Sequence, residues 1–172
     1  MLSGQFQMAH QEIGEEKLDI ERLNVNMGGE ACAGYTGSDA LFEKIAAKVG
    51  RPLPEAYIRF IRTVDGGCPE VNTFYVEGED PDNYFGVNGF YSFGEDGYDD
   101  IMSAIDDWKI VLGKRAVPIA DDGGGNQIYL DMNDAVPSVW LYLHDEDELK
   151  LKVADSFEEF IASLMIDPDL DD

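Results

Sequence analysis

The sequence predicts a single α+β domain: a mostly antiparallel, twisted sheet with about four helices packed around it. Three observations carry this. Apolar residues recur at helical spacing in four stretches, near 41–49, 57–64, 101–112 and 157–164. Short aromatic or branched runs, bounded by Gly, Asn, Asp and Pro, read as strands. Their order is two helices, a strand cluster, one helix, more strands and a final helix, which suits an antiparallel-rich layer structure.

Residues 1–36 form an irregular N-terminal segment that precedes the domain or packs on it. Leu18, Ile20, Leu23, Val25 and Met27 suggest one strand, but the alternation slips, and Gly28, Gly29 and Gly34 break up the stretch after it. The domain proper spans 37–165. Ser38 is placed to cap a first helix, with Asp39 favourable at its positive end; Leu41, Phe42, Ile45, Ala46 and Val49 make its apolar side and Gly50 stops it. Pro54 suits the first turn of a second helix, because its missing N–H costs little there. Tyr57, Ile58, Phe60, Ile61 and Val64 are its apolar side, Arg59 and Arg62 face water, and Gly66-Gly67 ends it.

Residues 73–76, 84–87 and 90–93 read as strands. An acidic turn with Pro81 separates the first two, and Asn88-Gly89 signals a hairpin between the second and third. Ile101, Ile105, Trp108 and Leu112 give an amphipathic helix whose outer face carries Asp99, Asp100, Asp106 and Asp107. Strands come next at 117–120 and 127–131, joined by the glycine-rich turn Asp121-Asp122-Gly123-Gly124-Gly125-Asn126. Residues 139–143 are apolar on both faces, as in an interior strand. Leu149, Leu151 and Val153 alternate with Lys150 and Lys152, leaving one wet face. Ser156 and Glu159 make a capping box before Phe157, Phe160, Ile161 and Leu164. Residues 166–172 are an acidic tail expected to fray.

Lys and Arg number 12 against 36 Asp and Glu, a formal charge of -24 over 172 residues. Such a surface repels nucleic-acid phosphates and anionic lipid, and attracts basic proteins. The partner expectations are no nucleic acid, no membrane, and a basic protein. No apolar run is long enough to span a bilayer, and the N-terminus lacks the basic and apolar regions of a signal peptide, so a cytoplasmic location is expected. Cys32 and Cys68 have no CxxC or Cys/His company and read as reduced cytosolic thiols, although sequence does not decide whether they pair.

No constellation points to catalysis, metal or cofactor. The glycine-rich turn is no phosphate loop: it lacks GxxxxGK[ST], opens a strand, and puts two carboxylates before its glycines. Asp80-Pro81-Asp82-Asn83 and Asp131-Met132-Asn133-Asp134 lack the full calcium-loop pattern and read as turns. The histidines are His10 and His144; no GxSxG elbow accompanies them. What stands out instead is surface charge. Asp121, Asp122 and Asn126 in one turn and His144, Asp145 and Glu146 in the next offer a partner-binding surface, with Tyr129, Trp140 and Tyr142 as aromatic anchors.

Taken in order, these segments resemble the SUKH superfamily, the Smi/Knr-type domain. The resemblance rests on Leu53-Pro54 with Tyr57, Phe60 and Ile61 running to Gly66-Gly67, and on 101–108. It rests further on Pro118-Ile119-Ala120-Asp121 with Gly125-Asn126 and the strand to Asp131, and on Val139, Tyr142 and His144 followed by Ser156-Phe157 and Phe160-Ile161. It covers roughly 38–164. Two departures stand out: Leu143 takes a position the family makes acidic, and the turn holds three consecutive glycines.

The resemblance implies a non-enzymatic protein-binding domain. Its bacterial branch implies an immunity protein that neutralises a cognate secreted toxin, often a nuclease; its fungal branch implies a regulatory interaction module without a toxin. A hydrolase using His144 is the third reading. A monomer or weak homodimer is expected, since a free strand edge permits pairing.

Overall fold

The computed structural model describes residues 18–26, 33–94 and 100–171. His10, Met27, Gly28, Gly29, Cys32, Gly97 and Asp99 lie outside these.

Two helices open the domain: α1 (Ala40–Val49) and α2 (Glu55–Thr63). Gly50 ends α1 in the left-handed region, its N–H donating to the Ala46 carbonyl. At the other end Asp39, not Ser38, takes the cap position, and the Ser38 hydroxyl accepts from the Ala40 amide at 3.3 Å. α2 ends at Thr63, before Gly66 and Gly67. Gly66 serves a close approach: a Cβ there would lie 2.9 Å from Cβ of Ser92 and 3.1 Å from the Phe90 carbonyl oxygen.

A small sheet pairs β1 (Thr73–Phe74) with β2 (Phe85–Gly86), antiparallel. β3 (Gly89–Phe90) then starts the main sheet, followed by α3 (Ile101–Leu112), β4 (Ala116–Asp121), β5 (Gln127–Asp131), β6 (Ser138–Leu143), β7 (Leu149–Ala154) and α4 (Phe157–Ser163). The main sheet is antiparallel throughout, in the order β3-β4-β5-β6-β7. The architecture is therefore the expected α+β one, with four α-helices among the described residues. Asn88-Gly89 does not form the expected hairpin. β2 pairs with β1, while β3 pairs with β4 through Gly89↔Asp121, so Asn88 carries the chain from one sheet to the other.

Period-two alternation sorts the strands onto two faces. Val117, Ile119, Ile128, Leu130, Val139, Leu141 and Leu143 enter the main core, with Phe42 and Ile45 of α1, Tyr57, Phe60 and Ile61 of α2, and Phe157, Phe160 and Ile161 of α4. Leu143 extends the core-facing row of β6, which explains an apolar residue at that family position. The other face carries Ala116, Tyr129, Trp140 and Tyr142, covered by Trp108, Val111 and Leu112 of α3. The first half of α3, through Ile101, Ala104 and Ile105, joins the main core.

Expected caps hold with small shifts. The Ser156 hydroxyl accepts from the Glu159 amide at 3.2 Å, and the Glu159 carboxylate accepts from the Asp155 amide at 3.3 Å, not from Ser156. Asp100 caps α3 by accepting from the Met102 amide at 3.1 Å. Asp106 bonds Lys48 of α1 at 2.7 Å, and that hydrogen bond is the main reason its carboxyl sits below the usual range.

Arg62 does not simply face water. Its guanidinium lies over the rings of Tyr35 and Phe42, 5.1 and 4.8 Å from their centroids, and donates to the carbonyls of Tyr35 and Gly37 and to Asp39. Arg59 is exposed. In the N-terminal segment, Glu21–Leu23 forms a 3-10 turn, Val25 bridges Pro69 and Leu23 is fully buried. Arg22 donates to the carbonyls of Ile161 and Leu164 at 2.6 and 2.7 Å, tying this segment to the end of α4 beside the Leu164 amide that also bonds Ile161. Pro168–Asp171 is one 3-10 turn, and the Tyr84 hydroxyl donates to Asp169.

Candidate functional site

The β4–β5 and β6–β7 turns lie at the same end of the sheet, because β4 and β6 run toward it and β5 and β7 run away. Each turn concentrates carboxylates there: Asp121 and Asp122 in the first, Asp145, Glu146, Asp147 and Glu148 in the second.

In the first turn the side chains build the backbone. Asp121 Oδ1 accepts from the Gly123 amide at 2.8 Å and from Asn88 Nδ2 at 3.1 Å. Asp122 Oδ1 accepts from the amides of Gly124 and Asn126 at 2.8 and 3.0 Å, and its Oδ2 from Asn126 Nδ2 at 2.6 Å. Asp and Asn side chains that bond nearby amides stabilise tight turns in this way. The consequence for chemistry is direct: three amides that a phosphate would need are already occupied by carboxylates of this chain.

Asn126 links the two turns. Its Oδ1 accepts from the His144 amide at 2.9 Å and lies 2.8 Å from His144 Nδ1, so that ring nitrogen carries the proton of the pair. His144 Nε2 lies 2.8 Å from Asp145 Oδ1, a contact that becomes an ion pair when the ring holds both protons. Gly125 explains the extra glycine. It has φ +100°, and a Cβ would stand 2.8 Å from His144 Cε1, so only glycine leaves room for the ring.

The second turn is built differently. Asp147 and Glu148 have φ of 52° and 58°, left-handed values uncommon outside glycine. The backbone closes through the amides of Glu146 and Leu149, which donate to the carbonyls of Leu143 and Glu146. Residues 145–148 are all exposed.

The structure therefore brings Asp121, Asp122, Asn126, His144, Asp145 and Glu146 together. It separates them from the aromatic anchors. Tyr129 and Tyr142 are only 4% exposed, beneath α3, with the Tyr142 ring 5.8 Å from Trp108. Trp140 is half-buried on the same face, its indole N–H donating to the Ser138 hydroxyl at 2.9 Å. Burial pushes the Tyr129 phenol up to about 12, with Asp131 adding to it. Burial also raises Tyr142, with Glu148 contributing from the turn. These rings supply packing under α3, not exposed anchors.

Sequence reasoning missed Asn88, read as half of a hairpin, and the Gly125–His144 contact. It also missed Asp65, a buried carboxylate at the close of α2 that accepts from the amides of Phe93 and Gly94 at 2.6 and 2.7 Å. An isolated Asp before two glycines carries no signal for that role. Among the described residues no group of three or more His, Cys, Asp or Glu is placed to hold a metal ion, and no helix is long and apolar enough to cross a membrane.

The sequence over residues 36–163 matches the model of the SMI1/KNR4 family (SUKH-1). The chain belongs to that family. Among curated proteins it is similar to the SPbeta prophage-derived uncharacterized protein YokK of Bacillus subtilis (strain 168), 27% identical over 143 residues, which is 73% of each chain. The SUKH-1 match takes in both acidic turns and the four α-helices of the described residues.

Proposed function

We propose that this SUKH-1 protein is a cytoplasmic, non-enzymatic immunity protein that binds and blocks a basic toxin domain, such as a nuclease. One observation carries the reading: in a family member with charge -24, two turns at one end of the sheet are cross-linked into a single acidic surface through Asn126. A nuclease holds polyphosphate in a basic cleft. A pre-ordered acidic surface enters such a cleft and releases its counterions as nucleic acid does. Fixing the carboxylates beforehand lowers the ordering cost of binding. The similarity to a prophage-derived protein is compatible with this role.

The test is co-expression with a toxic domain encoded beside this chain, followed by titration of the purified pair. Survival only in the presence of this chain, with affinity falling about tenfold or more from low to high salt, is the expected result. Equal killing with and without it would sink the proposal. Salt-insensitive rescue would retain immunity and remove the electrostatic mechanism.

A further inference from the structure

The outer face of the small sheet presents an apolar surface that the acidic turns do not use. Phe74 and Val76 point into the core, so alternation turns Thr73 and Tyr75 to the other side, where Thr73 is covered at 2% exposure and Tyr75 is exposed. Tyr84 meets Tyr75 edge to face, with ring centroids 5.9 Å apart. Met165 bridges Thr73 across two backbone hydrogen bonds of 2.8 and 2.9 Å, so its side chain stands on the same face. Tyr75 and Met165 are 38% and 40% exposed, and Leu170, one residue beyond the Asp169 that holds Tyr84, is 73% exposed. Large apolar side chains exposed together mark interaction surfaces more than scattered ones do.

Charge decides what covers them. The strands of this face are joined by an exposed turn carrying Glu77, Glu79, Asp80 and Asp82, and Asp167 and Asp169 flank it from the tail. No Lys or Arg occurs between Arg62 and Lys109, or after Lys152. Arg22 reaches this end of α4, but its guanidinium is engaged by the carbonyls of Ile161 and Leu164. The Tyr84 phenol is pushed up to about 12, first by its hydrogen bond to Asp169, with the charges of Asp169 and Asp167 adding to it. A second copy of this chain would bring the same charges against themselves, and anionic lipid would be repelled.

We infer that the face formed by Tyr75, Tyr84 and Met165, with Leu170 at its margin, docks a cationic amphipathic segment of a protein partner. Apolar side chains of that segment seat on the tyrosines and Met165, whose thioether adapts to irregular shapes, and its Lys or Arg residues meet the carboxylate rim. The role is independent of whether the acidic turns bind a toxin.

The test titrates the full chain with a short amphipathic peptide of Lys and Leu and, separately, with an oligolysine of equal charge. The peptide should bind about tenfold more tightly than oligolysine. It should shift the Met165 methyl signal while leaving Ile110, an equally apolar side chain 90% exposed on α3, unmoved. Tyr75→Ser and Met165→Ser should each remove that advantage, and Ile110→Ser should not. Leu170→Ser, at a site too exposed to affect folding, should weaken the peptide about threefold. Equal binding of peptide and oligolysine, or full affinity in Met165→Ser and Leu170→Ser, would overturn the inference. So would a wild-type dimer in sedimentation that Met165→Ser dissolves, since a second copy would then be the occupant.

Discussion

The two acidic turns sit side by side, with two carboxylates in the first and four in the second, and are built in opposite ways. In the β4–β5 turn every named carboxylate accepts from the chain's own amides, and glycine takes the left-handed positions at 123 and 125. In the β6–β7 turn the left-handed positions fall on Asp147 and Glu148, and the side chains of 145–148 are exposed. Carboxylates of the first turn are committed to structure; in the second, Asp145 contacts the His144 ring at 2.8 Å, and Glu146, Asp147 and Glu148 stand exposed to a partner. Carboxylates that look alike in the sequence thus have unequal roles, and Asn126 lets the ordered turn hold the exposed one in place.

The sharpest way to break this contrast is Gly125→Ala. It places a side chain at φ +100° and drives a Cβ into the His144 ring, and about 2 kcal/mol or more of stability should be lost in urea unfolding. The His144 ring resonances should move with it. Unchanged stability would mean that the turn relaxes and the contact is incidental.

Asn126→Ala comes next. It strips a partner from Asp122 Oδ2 and from the His144 amide, and about 1–3 kcal/mol should be lost. Asp145→Ala and Glu146→Ala, in the other turn, should stay within about 0.5 kcal/mol of wild type while weakening a basic partner at low salt. If the order is reversed, with Glu146→Ala costing more stability than Asn126→Ala, the division of roles fails.

Asp147→Gly should stabilise the chain by about 0.5 kcal/mol, because glycine accepts φ 52° without the Cβ clash, less some entropy gained by the unfolded chain. A loss in thermal unfolding would indicate that the Asp147 side chain holds the turn.

The smallest effect concerns pH. Burial, then Glu148, raises the Tyr142 phenol, so its contribution to stability is complete below the ordinary phenol value of 10.0 and is lost as pH rises through the higher folded value. Glu148→Gln should lower the Tyr142 titration, read as the absorbance lost on Tyr142→Phe. No movement would place Glu148 beyond reach of the ring.

How much was legible in the sequence depends on the range of each signal. The Ser156–Glu159 box, the Gly50 stop and the alternation of β7 depend on residues a few positions apart, and each appears close to where it was expected. Asn88-Gly89 misled because a turn signal fixes local backbone preference, not which strand the next segment will pair with. Tyr129, Trp140 and Tyr142 misled for a related reason. Period two puts them on one face, but says nothing about whether a helix lies over it. Arg62 looked solvated by its position between apolar neighbours, and only the arrival of Tyr35 and Phe42 made it a packed cation.

By itself the sequence determined the helices, the antiparallel strands, the family and the concentration of negative charge, because spacing, capping and composition act over a few residues or over the whole chain. The tertiary structure decided which carboxylates are tied up, which aromatics lie beneath α3, and how Asn126 joins its own turn to His144, 18 positions further along the chain. Those depend on long-range register and packing, where each side chain meets partners that local sequence does not name.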